Sequence, residues 1–118
     1  MDSILDTVKT LLGIQPEYTH FDNEIILNIN STMMTLNQLG VGPTEGFFIT
    51  GSTQTWKDFI GDRKDIDAVK ILVYLKTRLT FDPPQPGYLV DAITKQIDEI
   101  SWRLILQTEN VKEGLYDG

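Results

Sequence analysis

Apolar residues near the start of the chain fall at Ile4, Leu5, Val8, Leu11 and Leu12, steps of three and four that place them on one stripe of a short helix. Ser3, with Asp6 three residues later, supplies a capping arrangement: the hydroxyl accepts from a free backbone N–H, and the carboxylate sits at the positive end of the helix. Gly13 and Pro16 end the pattern. Two or three turns do not stay folded alone in water, so this helix needs tertiary support. A second stripe follows Asp22, with Ile25, Ile26, Ile29, Met33, Leu36 and Leu39 on one side and Asn28, Asn30 and Thr35 mostly on the other, and stops at Gly40. Its β-branched residues lower intrinsic propensity, so burial must hold it.

Between Gly40 and Thr55 helical spacing is lost, and four glycines and Pro43 favour turns or a mobile loop. Within it Phe47-Phe48-Ile49-Thr50 has the composition of a brief strand. A lone strand leaves backbone groups unpaired unless it finds a partner within the chain or in a neighbouring subunit, and both remain open. Thr55 to Gly61 forms a short capped turn with Trp56, Phe59 and Ile60 on one side, read as core packing. Asp62 or Asp65 then caps a long helix through about Leu79, built on Ile66, Val69, Leu72, Val73, Leu75 and Leu79. That stripe is wide enough to be touched on more than one side, which makes this the central helix. Phe81-Asp82-Pro83-Pro84-Gln85-Pro86-Gly87 breaks it.

The last helix spans Gly87 or Tyr88 to about Glu109, with Leu89, Ile93, Ile97, Ile100 and Leu104 facing inward while Trp102 and Ile105 fall off that stripe. The expected fold is mainly α: a small bundle of about four principal helices with a Gly-rich inter-helical loop and one candidate short strand. Residues 1–109 form a single helical domain and residues 110–118 a flexible tail that lacks stable periodicity.

The length of 118 residues suits one domain. Its longest apolar run, Ile71 to Leu75, is far too short to cross a bilayer, and the N-terminus lacks the basic-then-apolar order of a secretory signal, so neither membrane insertion nor export is expected. Seventeen acids against ten bases give a net charge of −7, the wrong sign for a protein that grips phosphates. The imbalance is concentrated in residues 1–60, which hold seven acids and only two bases, Lys9 and Lys57.

Chemical sites are sparse. Cysteine is absent and His20 is the only histidine, so thiol chemistry and a zinc cluster have no ligand set. Asp62, Asp65 and Asp67 lack the glycine and terminal glutamate of a calcium loop. Adjacent acids such as Asp98 and Glu99 point in different directions from a helix, and Gly40-Val41-Gly42 lacks the lysine and hydroxyl of a phosphate loop. Arg63, Lys64, Lys70, Lys76 and Arg78 are interspersed with acids, a pattern suited to the rim of a protein contact. No cofactor and no enzymatic activity are expected.

From Ile4 to Glu109 the chain resembles the small head-tail connector, or head-completion, proteins of tailed bacteriophages and prophages. The residues that carry the likeness are Leu5-Asp6-Thr7-Val8-Lys9-Thr10-Leu11-Leu12-Gly13-Ile14, Asp22-Asn23-Glu24-Ile25-Ile26-Leu27, Phe81-Asp82-Pro83-Pro84 and Ile97-Asp98-Glu99-Ile100-Ser101-Trp102-Arg103-Leu104. The resemblance implies a homo-oligomeric ring at the virion neck, with host cytoplasm as the location before assembly. Such a ring docks beneath the portal protein, continues the DNA channel and supports the next head-completion or tail protein; DNA passes through without specific binding. It further implies portal or intersubunit contact at Ile97, Trp102, Arg103 and Leu104, and loop contact at Phe47, Phe48 and Ile49. Glu17, Asp22, Glu24 and Glu45 are candidates for an acidic lumen that repels DNA phosphates. The alternative is a small helical binding or regulatory module that never forms a ring.

Overall fold

The computed structural model describes residues 3–63 and 65–112, with side chains through Glu109. Five helices follow in order: α1 (Ile4–Leu11), α2 (Asp22–Gln38), α3 (Trp56–Ile60), α4 (Ile66–Phe81) and α5 (Gly87–Lys112). Among the described residues there is no strand, only an isolated antiparallel bridge between Ser3 and Thr55. The mainly helical fold expected from periodicity is present, with α3 as the short capped turn. α5 continues past Glu109 to Lys112, and residues 113–118 of the expected tail lie outside the described residues.

Local chemistry sets most helix ends. The Ser3 hydroxyl accepts from the Asp6 backbone N–H at 3.2 Å. Thr55 and Asp58 exchange reciprocal side-chain to backbone bonds of 3.1 and 3.0 Å, a complete capping box on α3. At the end of α2 the Val41 N–H donates to the Leu36 carbonyl and the Gly40 N–H to that of Asn37, with Gly40 at a φ of +86°. This is a Schellman closure, and buried Val41 and Leu36 supply its usual apolar contact. One expectation fails: Asp65 occupies the N-cap position of α4 but makes no capping bond, because its carboxylate is held by Arg63.

α4 is the central helix: α1, α2 and α5 pack against it, whereas α2 and α5 scarcely touch each other. The core joins Ile4, Leu5 and Val8 of α1 to Ile25, Ile29, Met33 and Leu36 of α2, Val69, Leu72 and Val73 of α4, and Leu104 of α5. Trp56 and Phe59 enter from α3, and the Trp56 indole N–H donates to Thr7 Oγ1 at 3.1 Å, satisfying the one polar atom the ring carries inward. Arg63 ties the far end of α5 down by donating to Thr108 Oγ1 at 2.9 Å. At the other end α5 is looser than its stripe suggests: Leu89 is exposed, and inward packing begins at Ile93.

The irregular segment between α2 and α3 is anchored within the chain. Asn30 of α2 accepts from the Ile49 N–H at 2.7 Å and donates to the Ile49 carbonyl at 3.0 Å, so one side-chain amide serves as the missing strand partner. Ile49 is consequently core, Phe47 packs on Phe59 with ring centroids 5.1 Å apart, and Phe48 points to solvent. The brief strand expected at Phe47–Thr50 is not formed.

Candidate assembly surfaces

Large apolar side chains left in water are the main candidate features of this surface. On α5, Trp102 is 60% exposed and Leu106, one turn later, is also exposed. Arg103 beside them lies in solvent, 3.3 Å from Glu99, an exposed pair of small energetic weight. Of the four residues expected to make contacts here, Trp102 and Arg103 are on the outside, Ile97 is half-buried, and Leu104 is in the core. Leu104 is therefore corrected from a contact residue to the anchor that holds the opposite face of α5 on α4, because a core side chain cannot reach a partner while the fold is intact.

A second surface lies on the outer side of α2. Met34 is 69% exposed and Phe48 of the loop 66%, and together with Met33, Phe47 and Glu45 they line an open groove of about 490 Å³. Leu27, seven residues before Met34, extends the same outer face. Sequence reading of the inward stripe passed over Leu27 and Met34; their spacing of seven opposite Ile25, Ile29 and Leu36 was the available signal. Of the loop candidates, Phe48 is free to touch a partner and Phe47 forms the groove wall. Ile49 is corrected to a core residue.

The acidic candidates separate in the same way. Lys9 is buried, with its ammonium 2.7 Å from Asp22 and donating to the Pro16 carbonyl at 2.8 Å. Asp22 is thus neutralised by an internal ion pair and is corrected from a free lumen charge to the counter-ion of a buried lysine. Lys9 sits four residues after Leu5 and three before Leu12, on the apolar face of α1, a position from which a buried charge is legible. Glu17, Glu24 and Glu45 remain exposed.

His20 joins a surface aromatic cluster, edge-on to Phe21 at 4.8 Å, and Phe21 in turn packs on Phe81 at 5.3 Å. Among the described residues no three acidic or histidine side chains gather to hold a metal ion, and no helix is long and apolar enough to cross a membrane.

Residues 4–111 match the profile of the phage connector protein family, from the first turn of α1 almost to the end of α5. The chain belongs to that family. No curated protein and no solved structure shows significant similarity to it. As a phage connector protein it is a structural component of the virion.

Proposed function

We propose that this connector protein is a ring-forming head-completion subunit that docks beneath the portal, extends the DNA channel and carries the next neck or tail component. The observation that carries the reading is the family match across the whole helical domain. Two separate apolar surfaces, one on α5 and one on α2, support it: an isolated subunit has no use for both, whereas a subunit between neighbours does. The net charge of −7 supports passage of DNA without retention, because exposed carboxylates repel phosphates that a basic lumen would hold. Catalysis has no part in this role. Before assembly the subunit resides in the host cytoplasm.

The test is mass measurement of the purified protein with and without its portal, run in parallel on Trp102→Ala. A ring, alone or templated by the portal, is expected for the native chain. Trp102→Ala is expected to weaken assembly by about 2 kcal/mol or more if the ring anchors the contact, with little change in unfolding midpoint. A chain that stays monomeric under every assembly condition and never docks to the portal is instead a small helical binding module, and the proposal fails. Equal loss of folding and assembly in Trp102→Ala defeats the special role of that residue.

A further inference from the structure

We infer that neighbouring subunits join head to tail by placing Trp102 of one copy in the α2 groove of the next; this rests on the ring reading proposed above. The groove is lined by Met34, Phe47 and Phe48 over buried Met33, and its volume of about 490 Å³ is of the order of clefts that accept a small ring system. The exposed Met34 thioether and the ring edges are favourable partners for an indole, which buries about 150–250 Å² when enclosed.

Charge agrees with this occupant. Glu45 is the one charged side chain that lines the groove, and no basic residue lines it. The residue beside the exposed indole is Arg103, whose present partner Glu99 is solvent-exposed and easily exchanged. The chain's own last six residues fit less well, since they bring Glu113 and Asp117 and no base to a groove lined by Glu45.

Within one subunit the two surfaces do not meet. α2 and α5 both pack on α4 and scarcely on each other, and Trp102 is not among the residues that line the groove. Each copy therefore presents one knob and one socket on separate helices, the heterologous arrangement that propagates and closes into a ring when the rotation permits.

The absence of cysteine makes the contact directly readable. A chain carrying both Met34→Cys and Trp102→Cys, assembled on the portal and then oxidised, is expected to run as a ladder of dimers, trimers and larger species without reductant. Neither single variant should produce a ladder. Because replacing Trp102 weakens the contact it reports, charge reversal provides the second measurement. Glu45→Arg or Arg103→Glu alone is expected to lower subunit association about tenfold at low salt, and the two together to restore it to within about threefold. Rings of normal mass with neither ladder nor charge rescue place the interface elsewhere and overturn the inference while the connector reading stands. A ladder that stops at the dimer overturns the head-to-tail order, and Trp102→Ala that loses the portal but keeps the ring assigns this face to the portal instead. Failure to form any oligomer, alone or on the portal, defeats both readings.

Discussion

Removing the Asn30 side chain tests whether one amide organises the whole irregular segment. In the folded chain it satisfies both the N–H and the carbonyl of Ile49, a residue only 1% exposed. Each such bond contributes about 0.5–1.5 kcal/mol net, and a buried group left unpaired costs about 1–3 kcal/mol. Asn30→Ala loses two bonds and strands two backbone groups, with part of the cost recovered by water entering beside the half-buried side chain. We predict a loss of about 2–4 kcal/mol, a large share of the roughly 5–15 kcal/mol that holds a small domain together. Urea unfolding at equilibrium measures it, and hydrogen exchange at the Ile49 amide localises it. Asn30→Asp separates the two bonds: it keeps the acceptor for the Ile49 N–H but loses the donor to the carbonyl, so that amide should stay protected while stability falls. A loss below about 0.5 kcal/mol with unchanged protection of Ile49 refutes the reasoning, since packing alone would then hold the segment.

Gly42→Ala is predicted to destabilise the fold by more than about 1 kcal/mol, because φ is +91° there and an added Cβ would lie 2.4 Å from the Phe59 ring. Gly13→Ala, with φ +86° and open space around it, should cost less; equal losses by thermal unfolding would assign the whole effect to backbone strain. Asp22→Ala leaves the Lys9 charge buried with only the Pro16 carbonyl and should cost about 3 kcal/mol, whereas the double variant Lys9→Met with Asp22→Asn should fall within about 1 kcal/mol of the native chain. A double variant as unstable as the single one would show that the ion pair, and not relief of an unpaired charge, supports the fold. Trp56→Phe removes the bond to Thr7 and should lower stability by about 1 kcal/mol, and an unchanged urea midpoint would count against a role for that bond.

Helix order and the central place of α4 were legible because they rest on short-range periodicity: a stripe as wide as Ile66 to Leu79 has to be covered on several sides. The caps at Ser3 and Thr55 were legible for the same reason, each being a contact within one turn. What escaped depends on residues distant in sequence. The Asn30–Ile49 clamp spans nineteen positions, and nothing local marks Asn30 among the polar residues of α2. Asp65 was misread as a cap because cap chemistry looks the same whether or not a nearby arginine takes the carboxylate. At the candidate surfaces, the helical wheel placed Trp102 off the inward stripe but left a core element and another molecule both open as its contact, whereas Leu104 and Ile49 could be moved inward only once the opposing elements were in place.

Glu24 lies in the first turn of α2, whereas Glu45 belongs to the loop that Asn37 holds near the other end, through a bond of 2.9 Å to the Pro43 carbonyl. Thirteen residues of helix separate those levels, about 20 Å at 1.5 Å per residue. Screening reduces exposed charges to independence beyond about 8 Å at physiological salt, so these carboxylates do not act as one negative patch within a subunit. In the proposed ring the repulsion of DNA has to come from repetition, each exposed glutamate forming a band with its copies in neighbouring subunits. The Lys9–Asp22 pair removes one candidate band, and the head-to-tail contact would engage Glu45 with Arg103. Glu17 and Glu24 are then the carboxylates left free, and any electrostatic lining built from the original candidates must lie around the first turn of α2 and the loop before it.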